Sequence, residues 1–227
     1  MKLNKNQKRV SYLLKIIVVL SAIIGTFLSA YAGRNSFMGG SRVFMYFTIQ
    51  SNIAIAIICA CGIVLAFRGR EIGLPLQIIK FVGTVSITLT GVVFCFVLAP
   101  TMGADAWNIQ NILTHVIVPI GAVVDFFVVS PILNIGKGNV IYIIIPPILY
   151  AIYAGVGYVN GWEFAEGINY PYFFLNWGSE VGAWGFSKSL PYMGTAWWIL
   201  ALLLFLILVG YVYLIIVDII NKNLSNH

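Results

Sequence analysis

Three ionisable side chains stand well inside long apolar runs of this sequence: His115, Asp125 and Asp218. In hydrocarbon such groups are costly, so each is a candidate functional residue. Asp218 lies near the end of its run, where solvent reaches it. His115 is better placed for chemistry. Pro119 follows at i+4 and has no N–H to offer the carbonyl of residue 115, which predicts a kink and open backbone beside the imidazole. Asn108 and Asn111, seven and four residues earlier, fall near the same helical face. Thr48 sits four or five residues into another apolar run that starts near residue 44. That puts the two side chains within about 5 Å of the same depth. A hydroxyl beside an imidazole is what nucleophilic catalysis needs: the ring takes the proton and the weak nucleophile can attack a carbonyl. Ser51 and Asn52 share the face of Thr48. With Gln50 and Asn111 they are the candidates to hold substrate or the developing oxyanion, the three amides as donors. Plainer roles stay open at this level, namely a histidine satisfied by an interhelical hydrogen bond and hydroxyls bonded back to their own i−4 carbonyls.

Asp125 lies ten residues beyond His115, about 15 Å along a helix, too far to orient the ring. Lys80 or the hydroxyls of Thr84, Ser86 and Thr88 are its expected partners, in a structural or proton-linked role. Metal chemistry is not expected. A catalytic zinc takes three protein ligands, and the runs offer one internal histidine with no carboxylate at matching depth. No GxSxG elbow, phosphate loop or HExxH motif is present. The site therefore calls for no metal and no cofactor.

The elements that must position these residues follow from composition. Of 227 residues 60% are apolar and 9% charged, with a mean hydropathy of +0.95; a soluble domain carries about 25% charged residues. The expected fold is an all-α integral membrane protein, one domain over 1–227. Six spans fall at about 12–32, 44–67, 78–99, 108–132, 140–158 and 194–220. Gly39-Gly40, Arg68-Gly69-Arg70, Pro100, Pro131 and Gly136-Lys137-Gly138 separate them. The net charge of +6 belongs to topology rather than to nucleic acid. With the N-terminus inside, Lys2, Lys5, Lys8, Arg9, Lys15, Arg68, Arg70, Lys80, Lys137 and Lys222 lie on the cytoplasmic side, against Arg34, Arg42 and Lys188 outside. Ten against three places both termini in the cytoplasm, and with them the site towards the outer leaflet of a cell membrane. All six tryptophans (Trp107, Trp162, Trp177, Trp184, Trp197, Trp198) then fall at the outer interface. The first run has the basic flank and Ala30-Tyr31-Ala32 of a secretory signal, but its length favours a retained helix. Cys59, Cys61 and Cys95 lie in apolar segments and read as small buried hydrophobes. Pro146-Pro147 predicts a kink in the fifth span. Residues 159–193 form an aromatic outer loop before the last helix, either a lid over Thr48 and His115 or an interfacial anchor.

Several of these motifs, taken in order, resemble one family. Six spans, Tyr46-Phe47-Thr48-Ile49-Gln50-Ser51-Asn52 opening the second, His115…Pro119…Asp125 in the fourth, and Tyr170-Pro171-Tyr172-Phe173-Phe174-Leu175-Asn176 before the last resemble the androgen-induced gene product and androgen-dependent TFPI-regulating protein family, including its bacterial branch. The resemblance implies a membrane threonine hydrolase of fatty acid esters of hydroxy fatty acids, with Thr48 as nucleophile and His115 as base. It does not carry the substrate across, nor assign a role to Asn176. Three functions follow as expectations: a hydrolase of lipid or fatty-acyl esters entering from the bilayer, a small proton-linked transporter using His115 and Asp125, and a lipid-binding protein without turnover.

Overall fold

The protein is described by a computed structural model covering residues 3–34 and 40–225; Lys2 and Gly39, used above for charge and for a separator, lie outside them. Among the described residues six helices are long and apolar enough to cross a membrane. They are α1 (Lys5–Gly33), α2 (Phe47–Phe67), α3 (Leu74–Met102), α4 (Ile109–Val128), α5 (Lys137–Val159) and α6 (Thr195–Leu224). Among the described residues the fold is all-helical, with isolated bridges at Ala165–Ile168 and Phe186–Met193. It is a multi-pass membrane protein.

The helix ends differ from the apolar runs for local reasons. α1 begins seven residues earlier than the apolar run because Asn4 and Gln7 cap each other's backbone N–H groups. α2 begins later, since Gly40–Met45 is a separate 3-10 segment that hands over at Tyr46. α4 stops at Val128, and Pro131 sits in a short 3-10 turn, Ser130–Ile132. In α5 the first eight residues, Lys137–Ile144, are 3-10, and Pro146 lies at the start of the α-helical part. The proline pair therefore marks the junction of 3-10 and α-helical winding near the middle of the span. Proline suits that place because the first helical N–H groups have no partner to lose.

α1 packs against α2 and α4, and α3 against α2 and α4, while α6 lies along the 3-10 part of α5 and against α3. Val18, Ile55, Cys59 and Val118 fill the first contact, and Phe81, Phe126, Leu206 and Tyr213 the second. Large apolar side chains such as Leu13, Leu20 and Leu204 point outward, which water would penalise and lipid does not. Of the three cysteines only Cys59 is buried. Cys61 is exposed on the bundle's surface and Cys95 is part-buried, which corrects the expectation for both; all three are free.

Candidate active site

Thr48 is the second residue of α2, whose N-cap residue, Tyr46, makes no capping hydrogen bond with its side chain. The Thr48 hydroxyl faces His115 on α4, with Oγ1 3.3 Å from Nε2. The equal depth read from spacing thus becomes direct juxtaposition. His115 is buried, 8% exposed, in a π-helical turn, Leu113–Ile117, where the Val118 N–H reaches back to the Leu113 carbonyl. A second π-turn, Phe94–Leu98, interrupts α3. Each turn is followed by a proline, Pro119 and Pro100. A proline ring crowds the carbonyl four residues back and cannot bond it, so the turn before it widens. The two widened turns meet: the Phe94 ring stacks on the imidazole at 3.8 Å between centroids. Gly91 lets the helices approach there, for a Cβ on it would come 3.0 Å from the His115 carbonyl oxygen.

The hydrogen bonds around the ring select its tautomer. Nδ1 lies 3.1 Å from the Asn111 carbonyl and 3.0 Å from Thr114 Oγ1. The carbonyl only accepts, and the Thr114 hydroxyl spends its hydrogen on the Gln110 carbonyl at 2.8 Å. Nδ1 therefore carries the proton, and Nε2 presents a bare lone pair to Thr48. That is the tautomer a general base requires.

Tyr172, from the 160–194 connection, closes the other side. Its hydroxyl lies 3.4 Å from both Thr48 N and Thr48 Oγ1. The Thr48 N–H donates to the phenol oxygen, which leaves the phenol hydrogen free to point at Oγ1. Stacking on Phe174 at 5.0 Å and edge contacts with Tyr46 hold the ring. Burial pushes the Tyr172 phenol above its usual range, against its hydrogen bonds with Thr48, so it stays a neutral donor well past neutral pH. Tyr46 and Tyr150 tie the surrounding turns by donating to the Phe164 and Met45 carbonyls, each at 3.0 Å. An exposed Arg42–Glu163 pair at 2.8 Å links the 3-10 segment to the connection. Tyr172 was not among the residues singled out from sequence; the aromatic motif around it was the only signal.

The amides expected to face the oxyanion are engaged elsewhere. Gln50 is exposed and donates to the Phe44 carbonyl at 3.1 Å. Asn52 is fully buried and donates to the carbonyls of Thr48 and Thr114, at 2.8 and 3.0 Å. Asn111 sends its amide to the Ala106 carbonyl at 2.9 Å and serves the site through its backbone oxygen. Ser51 donates to the Thr48 carbonyl at 3.0 Å and pairs with Thr90 at 2.7 Å. These residues brace the start of α2; the donor nearest the hydroxyl is Tyr172 O–H.

Asp125 is apart from this centre and has no exposure. Ser11 Oγ and Lys15 Nζ donate to its Oδ1 at 2.6 and 2.7 Å, and Lys80 to Oδ2. Lys80 is thus the expected partner, whereas Thr84 and Thr88 bond helix carbonyls. Lys15 and Lys80, counted above on the cytoplasmic side, are 5% and 3% exposed and sit inside the bundle.

A cleft of about 60 Å³ beside Thr48 lies between α2, α3, α5 and α6. Phe47, Leu89, Val93, Leu98, Phe174, Leu175 and Leu202 line it, and its polar groups are the hydroxyls of Thr48, Thr90, Tyr150 and Tyr172. Its largely apolar walls suit an alkyl chain. In comparisons with known proteins, no family model, no curated protein and no solved structure matches this chain.

Proposed function

We propose that the protein is an intramembrane hydrolase of lipid esters, with Thr48 as nucleophile and His115 as general base. The observation that carries this reading is the tautomer: two acceptors hold the proton on Nδ1, so Nε2 faces the Thr48 hydroxyl as a base. Thr48 Oγ1 attacks the ester carbonyl carbon as its proton passes to Nε2. The carbonyl oxygen takes the electron pair beside Tyr172 O–H, a donor worth most in a water-poor site. The bond to the alcohol oxygen then breaks, Nε2–H protonates the leaving alkoxide, and an acyl-Thr48 remains. Water, deprotonated by His115, attacks that acyl group; the acid leaves and the hydroxyl is restored. Contacts of 3.3–3.4 Å are long for hydrogen bonds, as befits a site that tightens only around substrate.

The likeness to threonine hydrolases of fatty acid esters supports the same reading, and the charge asymmetry supports a site facing the outer leaflet of the cell membrane. The transporter reading has less to rest on, because Asp125 is sealed by two lysines. Turnover of a fluorogenic acyl ester by purified protein in nanodiscs tests the proposal. Activity should vanish in Thr48→Ala and in His115→Ala while both variants stay folded; activity that survives both changes contradicts it.

A further inference from the structure

A second apolar space adjoins the cleft. It is a surface groove between α5 and α6, lined by Ile148, Ala151, Ile152, Gly155, Trp177 and Ile199. Ala151 and Ile199 line both spaces, so these two side chains form part of the wall between the groove and the cleft that holds Thr48. α6 packs along the 3-10 part of α5 and not closely along its α-helical part, Ile145–Val159, which instead carries ring contacts to α2 and to the 160–194 connection. In a multi-pass bundle this groove faces the hydrocarbon of the bilayer.

Resting on the hydrolase reading, we infer that the gap between α5 and α6 is the lateral portal and seat of one linear, uncharged alkyl chain, which enters from the bilayer past Ala151 and Ile199. The occupant follows from the walls. No charged side chain lines either space among the described residues, so a carboxylate or headgroup carried inward would be desolvated without a partner. The charged end of any substrate must stay at the Thr48 mouth. From Leu89 to Leu98 the cleft follows α3 for about 13 Å. With carbon–carbon bonds of about 1.5 Å in a zigzag, that length seats roughly ten carbons.

The test uses the full chain in nanodiscs and a decanoic methyl ester bearing a diazirine near its chain end, in the Thr48→Ala background so that nothing is turned over. Photolysis should cross-link the chain to the segment around Ile199–Leu203. Ala151→Phe and Ile199→Trp, one from each wall, should each reduce that cross-link about tenfold or more, the loss expected when two methylenes are shut out. A probe ending in a carboxylate should fail to cross-link there. Cross-links unchanged in both variants, or spread equally over outward residues such as Leu13 and Leu20, overturn the portal. A fluorophosphonate adduct on Thr48 in the otherwise native chain is read separately. Adduct with indifferent cross-links sinks the portal alone, and portal cross-links without adduct sink the hydrolase alone.

Discussion

Around Asp125 every polar contact is short and sealed, with Ser11 and Lys15 at 2.6 and 2.7 Å and Lys80 on the other oxygen. Around Thr48 the contacts stretch to 3.3 and 3.4 Å, and one side opens on a cleft. The two regions share a medium of low dielectric but hold different cargo. A charge left unpaired there costs several kcal/mol, so the Lys–Asp–Lys cluster must be closed and leaves no room for a ligand. Thr48, Tyr172 and the Nδ1-protonated His115 are neutral groups. They tolerate long contacts and keep the freedom to rearrange around a substrate. The cluster binds α1, α3 and α4 together, and the open site uses that frame.

The largest effect should come from breaking the closed region. Asp125→Asn strands two buried lysines and should cost about 3–5 kcal/mol, seen as loss of monodisperse protein and a collapsed thermal midpoint in detergent. Replacing the trio together, Lys15→Met, Asp125→Leu and Lys80→Met, should restore most of that stability, since no charge is then left buried. The open region should answer in the opposite way. Thr48→Ala should lower ester turnover by on the order of 10⁴-fold or more, with the thermal midpoint nearly unchanged. Tyr172→Phe removes one donor to the oxyanion and should lower kcat by about 10²-fold with KM little altered; an unchanged kcat would remove Tyr172 from the mechanism. Thr114→Val leaves Nδ1 only the Asn111 carbonyl. It should cost activity by roughly tenfold, and a loss as large as that of Thr48→Ala would mean that it disrupts the α1–α4 contact instead.

The same contrast explains what could be read in advance. The six spans were legible because each is a long apolar run, and the Thr48–His115 pairing because helical rise fixes depth. Lys80 is legible as a partner of Asp125, but Lys15 reads only as one more cytoplasmic-side charge, since the carboxylate that buries it lies on another helix, 110 residues away. Gln50, Asn52 and Asn111 were assigned to the oxyanion by their chemistry, but each amide had a nearer carbonyl, and only the folded turns reveal which is nearer. Tyr172 was hidden for a further reason. Its position depends on how an irregular connection folds back over α2, and no periodicity governs that path. The π-turns ahead of Pro100 and Pro119 were visible only as prolines.

The most direct measurement is labelling of the purified protein in nanodiscs with an alkyl fluorophosphonate, followed by mass-spectrometric mapping of the adduct. The expected result is a single phosphonate on Thr48, absent in Thr48→Ala and strongly slowed in His115→Ala. An adduct on another residue, or labelling that persists undiminished in Thr48→Ala, would contradict the nucleophile assignment and with it the proposed function.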